Sequence, residues 1–274
     1  MFTQRLIVAL IVGPVMLTAT YFGGWYFFIP VLFLMIVAGI EYANIMRVLD
    51  HKLPLWILLP AIALLLLGAW QPALNLTGVS LFLGVFAGLI YCLTLFERGI
   101  TLDAALDWFA LVTGIVLLGW VGSHFFLLRG LPEDGWRWTA LALLSIWTAD
   151  MAAYAVGKWL AGRVLGRHSL APRLSPKKTV EGYVGGIVIG TIVTVITAMV
   201  LDLPLVLATI AGLAVSCLGL FGDLSISMLK REAGLKDSGK IFPGHGGALD
   251  RSDSLIWAVA IVYYLVIFLG PVLP

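Results

Sequence analysis

The segment Lys236–Asp253, KDSGKIFPGHGGALDRSD, packs six formal charges, a histidine and five glycines or prolines into a chain that is 61% hydrophobic. Just upstream stand Asp223, Ser227, Lys230 and Arg231. Across this window four acids (Asp223, Asp237, Asp250, Asp253) alternate with five bases (Lys230, Arg231, Lys236, Lys240, Arg251) around a glycine-rich turn. Carboxylates are hard oxygen ligands suited to Mg²⁺, which is typically held by one or two of them together with substrate phosphates. Lys and Arg neutralise phosphate oxygens, and glycines such as Gly246 and Gly247 let backbone N–H groups approach them. The combination fits a metal-bridged phosphate ligand better than a solvated loop. Taken singly, each acid also reads as a helix cap, the commoner role of Asp at a helix start. Asp250 and Asp253 share a face if Asp250 already opens the last helix. His245 is too solitary for a metal site, and either bonds a phosphate or supports the loop.

A second polar window reads DMAAYAVGKWLAGRVLGRHSLAPRLSPKKTVEG, from Asp150 to Gly182. Asp150 is flanked by apolar sequence on both sides. An acid at the centre of a membrane helix costs roughly 2.5–3.5 kcal/mol on insertion scales and usually faces a polar interior; near the interface it is merely solvated. Farther on, SPKKT (Ser175 to Thr179) offers the ammonium groups of Lys177 and Lys178 and the hydroxyls of Ser175 and Thr179 as donors to phosphate. A lysine pair beside a span equally serves to fix topology and attract anionic lipid.

Long apolar runs must position both windows. Only 12% of the 274 residues are charged, about half the share in a soluble domain, so the chain is expected to be an all-α polytopic membrane protein. Runs of roughly 20 apolar residues fall at about 6–22, 24–40, 54–70, 76–96, 108–128, 138–157, 182–201, 203–222 and 255–273, about nine transmembrane helices. With nine crossings, 15 of the 17 lysines and arginines fall on one side and Arg129 and Arg137 on the other. The positive-inside rule then places the N-terminus and both polar windows in the cytoplasm. The chain divides at residue 137 into an N-terminal bundle (1–137, five spans) and a C-terminal region (138–274) carrying four spans and both windows. The two cysteines, Cys92 and Cys217, lie in apolar runs and imply no disulfide. A net charge of +2 carries no indication of nucleic-acid binding.

The run Ser227-x2-Lys230-Arg231-x4-Lys236-Asp237-x-Gly239-x2-Phe242-Pro243-x-His245-Gly246-Gly247-x2-Asp250-Arg251-x-Asp253 resembles the signature of phosphatidate cytidylyltransferases, also called CDP-diacylglycerol synthases. SPKKTVEG and the segment after Asp150 are similar to that family too. Ala248 and Ser252 depart from its usual residues, and neither bears chemistry. The resemblance implies that CTP and phosphatidate, in the bilayer, give CDP-diacylglycerol and pyrophosphate, with Mg²⁺ required and no nucleic acid involved. It implies Asp223 and Asp250 as metal ligands, four carboxylates being compatible with a second cation. Lys230, Arg231, Lys236 and Arg251 would neutralise phosphates, with Asp237 and Asp253 completing the catalytic set. Lys177 and Lys178 would grip CTP or the lipid headgroup, with Ser175, Thr179 and Ser227 as donors, Asp150 lining the cavity, and His245, Gly246 and Gly247 at the substrate. It further implies a homodimer. The expected setting is a bacterial cytoplasmic (inner) membrane, with the active site facing the cytoplasm.

Two rivals remain at this stage. A CTP-dependent lipid or polyprenol kinase would use similar phosphate-binding parts. A transporter is allowed by the span count, although no inverted repeat is evident.

Overall fold

A computed structural model describes residues 13–241 and 246–272. Helix covers residues 13–22, and the chain then runs through α1 (Gly24–Val48), α2 (Leu55–Trp70), α3 (Leu76–Glu97) and α4 (Ala104–Gly114). Helix α4 continues through π-helical turns at Ile115–Val121 to α5 (His124–Arg129). There follow α6 (Gly135–Trp159), strands β1 (Ser169–Ala171) and β2 (Ser175–Thr179), α7 (Val180–Val200) and α8 (Leu205–Glu232). A single turn, α9 (Leu249–Ser252), and α10 (Leu255–Leu269) complete the chain.

Seven helical stretches among the described residues are long and apolar enough to cross a bilayer: α1, α3, Ala104–Arg129, α6, α7, α8 and Leu249–Leu269. The chain is an integral membrane protein of all-α class. The expected span at 54–70 is the 16-residue α2, about 24 Å long at 1.5 Å per residue and short of a 30 Å hydrocarbon core. The expected span at 6–22 lies partly outside the described residues. About nine expected spans thus resolve into seven long ones, one short helix and one stretch described in part.

The SPKKT segment is strand β2. It pairs antiparallel with β1, Ser169 opposite Thr179 and Ala171 opposite Ser175. Pro176 is tolerated because a two-stranded hairpin is all edge. Thr179 ends the strand and caps α7, its hydroxyl accepting a hydrogen bond from Gly182 N at 3.0 Å.

The chain forms two compact units: residues up to Leu127 with Leu229–Ser252, and Leu128–Met228 with Asp253–Pro274. In the first, α1 buries Phe27, Val31, Met35, Tyr42 and Ile45, and the Tyr42 hydroxyl donates to the Ala110 carbonyl at 2.8 Å. Asp107, buried near the start of α4, bonds His51 at 2.8 Å. In the second, α7 buries Gly182, Gly186, Gly190, Thr194 and Ala198, one residue per turn. A Cβ at Gly186 would stand 2.9 Å from the Ala149 carbonyl oxygen and from the Ala153 methyl of α6. Lipid tails are as apolar as Leu, so helices in a bilayer associate by close packing, and small residues permit it.

Candidate active site

Helix α8 carries the first acid and the first bases. Its apolar sequence runs to Gly222, and Asp223, Ser227, Lys230 and Arg231 follow on the last turns. Basic side chains there complement the partial negative charge of a helix C-terminus.

In the first unit, Lys230 and Asp250 form a buried ion pair, Nζ to Oδ1, at 2.5 Å. Only 9% of the Lys230 side chain and 6% of the Asp250 side chain reach solvent. The other carboxylate oxygen of Asp250 accepts hydrogen bonds from Ser238 N (2.8 Å) and Gly247 N (3.0 Å). One carboxylate therefore ties together the two sides of the glycine-rich segment. Gly246 can take part because its φ of +83° suits glycine.

A residue that sequence reasoning missed completes this arrangement. Glu41 of α1, 6% exposed, accepts from the Ser238 hydroxyl and from Leu249 N through Oε2, each at 2.9 Å. A Cβ on Gly239 would overlap Glu41 Oε1, and one on Gly247 would overlap Oε2. Two glycines of the signature are thus explained by close approach to a carboxylate. The signal was present: Glu41 interrupts the apolar run VAGIEYANIM, as Asp150 interrupts its own.

Around this buried knot, Arg231, Lys236, Asp237, Lys240 and Arg251 are exposed. Arg231 donates to the Leu235 carbonyl at 2.8 Å. Lys236, Lys240 and Arg251 make no ion pair with any described residue, so their ammonium and guanidinium groups face water, as anion-binding cations must. His245 lies outside the described residues.

In the second unit, Lys178 of β2 contacts Asp223 Oδ2, with 30% of each side chain exposed. The other Asp223 oxygen accepts no hydrogen bond among the described residues. Lys177 is exposed, Ser175 half-buried and Ser227 buried. Asp150 is exposed on α6. Thr179 is buried as the α7 cap. Asp253 is buried, its Oδ1 accepting from Ser254 N (2.7 Å) and the Ser254 hydroxyl (3.1 Å). A turn at Asp253–Ser254 separates α9 from α10, so Asp250 and Asp253 do not continue one regular helix.

Among the described residues no three His, Cys, Asp or Glu side chains cluster as a ready-made metal cage. The donors nevertheless suit Mg²⁺, which takes one or two carboxylates and completes its shell with water and phosphate. Asp223 offers a partly exposed oxygen without a partner hydrogen, and Asp250 retains a lone pair on Oδ1 beside Lys230.

Fold and side chains together define a polytopic helical membrane protein that presents two lysine–carboxylate pairs on polar segments flanking its spans. The chain belongs to the cytidylyltransferase family, whose sequence pattern it matches over residues 3–269. It is 34% identical to the phosphatidate cytidylyltransferase of Synechocystis sp., covering 99% of this chain and 98% of that protein. It is 32% identical to the enzyme of the same name from Staphylococcus epidermidis, over 96% and 98% of the two chains. With that of Bacillus subtilis it shares 38% identity over 55% of each chain.

Proposed function

We propose that the chain is a phosphatidate cytidylyltransferase: an oxygen of the phosphatidate phosphate attacks the α-phosphorus of CTP, CDP-diacylglycerol forms, and pyrophosphate leaves. The observation that carries this reading is the near-full-length match to curated proteins of that name; the family pattern, over residues 3–269, includes both polar windows. No general base is required, because the attacking phosphate monoester is already ionised, at about −1.5 to −2 near neutrality. The obstacle is repulsion between two anions, so catalysis rests on positioning and charge neutralisation.

The chain supplies both. Lys236, Lys240 and Arg251, exposed and outside ion pairs among the described residues, take up phosphate charge. Lys177 and Lys178 on β2 grip the nucleotide or the lipid headgroup. Asp223 and Asp250 would be the carboxylates to hold Mg²⁺, which would supply positive charge to offset that of the phosphates. Lys230 holds Asp250 in place, and Thr179 sets the start of α7. The lipid substrate stays in the bilayer, where each acyl CH₂ is worth about 0.8 kcal/mol, while CTP arrives from water. The expected setting is a bacterial inner membrane with the active site facing the cytoplasm. A homodimer is the expected assembly by family resemblance.

Purified protein in phosphatidate-containing micelles, given CTP labelled at the α-phosphate, should place label in the lipid only when Mg²⁺ is present. Label in lipid from the γ-phosphate alone identifies a CTP-dependent lipid kinase, and none from either position rules out transfer.

A further inference from the structure

We infer that Glu41, on the first long span, is a positioning residue that holds the two described ends of the glycine-rich segment, Ser238–Gly239 and Gly247–Leu249, in their anion-binding arrangement. A carboxylate inside a membrane helix is costly unless it is paired or does something. Glu41 makes no ion pair with a described residue; its Oε2 accepts from the Ser238 hydroxyl and Leu249 N. Those two residues bracket the glycine-rich segment. Asp250 ties the same bracket a second time, accepting from Ser238 N and Gly247 N, and its own backbone N–H donates to the Ser238 hydroxyl oxygen at 3.3 Å. Ser238 is thus the shared node of both carboxylates.

The glycines supply the independent observation. Among the described glycines, Gly239 and Gly247 are those at which a Cβ would overlap Glu41, and at Gly247 it would overlap the Ser238 hydroxyl too. The described ends of the segment, at Ser238–Gly239 and at Gly247–Leu249, are therefore fitted to this carboxylate as well as tied by Asp250. Loss of Glu41 leaves Ser238 and Leu249 N without their acceptor, and the segment then populates its ligand-ready form only part of the time. Ligand affinity falls in proportion to that fraction while the bound state stays competent.

The inference rests on the cytidylyl-transfer reading for its kinetic arm and not for its exchange arm. Glu41→Leu should raise KM for CTP about tenfold with kcat within about twofold, the signature of a competent form populated one time in ten. Amide hydrogen exchange of apo protein should quicken at Ser238, Gly239, Gly247 and Leu249 and stay unchanged along α3 and α7. Glu41→Gln, which keeps one oxygen able to accept both bonds, should rescue most of both effects. Gly239→Ala should reproduce the Glu41→Leu phenotype in the wild-type background and add nothing in Glu41→Ala, where the colliding atoms are gone. A fall in kcat at unchanged KM, unchanged exchange at the four residues, or additivity of Gly239→Ala with Glu41→Ala would each overturn the inference. If the wild-type protein transfers no cytidylyl group, the proposed function fails while the exchange data still decide the role of Glu41.

Discussion

Lys230 and Asp250 meet at 2.5 Å in a pocket that leaves under a tenth of either side chain in solvent. Removing one member of such a pair strands the other charge and costs about 3–5 kcal/mol. Lys230→Met should therefore lower thermal stability sharply. Adding Asp250→Asn should restore most of it, because an amide oxygen still accepts from Ser238 N and Gly247 N. Turnover should not return with stability, and a double variant that regains both would show that the pair serves folding alone.

Asp223 and Lys178 form the contrasting pair, each about a third exposed. Exposed ion pairs contribute about 1 kcal/mol at most, so Asp223→Asn should unfold close to the wild-type temperature. Its activity should fall by more than about a hundredfold, the upper end of what losing an outer-shell partner of a metal ligand costs. A Mg²⁺ titration checks the assignment: the variant should need far more metal, and an unchanged Mg²⁺ requirement would remove Asp223 as ligand.

The same titration applies to Asp250. Chelation should abolish transfer by the wild-type protein, and returning Mg²⁺ should restore it. Asp250→Asn that turns over normally at low Mg²⁺, while correctly inserted, would show that Asp250 only ties the segment.

Thr179 was expected to donate to substrate, and its hydroxyl caps α7. Thr179→Val should cost about 1 kcal/mol, the usual worth of an N-cap, and Thr179→Ser should recover it. A changed KM for CTP at full stability would instead mark contact with substrate.

Gly186 packs against Ala149 and Ala153 on α6. Gly186→Leu should destabilise by about 1–3 kcal/mol through overpacking, read as a lower unfolding temperature in detergent.

The apolar runs of the sequence carried the helical fold because lipid demands them, and charge crowding marked both polar windows. Local helix ends were harder. The strand at SPKKT was hidden because Pro176 and two lysines read as loop, whereas a hairpin needs only one bonded edge. Asp250 and Asp253 looked like equivalents by spacing, but one ties a loop through backbone N–H groups and the other turns back on Ser254. Glu41 stands out as a charge in an apolar run, but its partners do not: they lie some 200 positions away in the chain, and no local pattern encodes such a contact.

The row of glycines on α7 has a consequence for how the protein is made. Glycine has no rotamers to freeze, so docking α7 against α6 gives up little side-chain freedom, and the two helices are consecutive in the chain, joined through the β1–β2 hairpin. These two helices should thus associate soon after leaving the insertion machinery. Defects along the row should appear first as poor yield of inserted protein, and only afterwards in the kinetics of whatever survives.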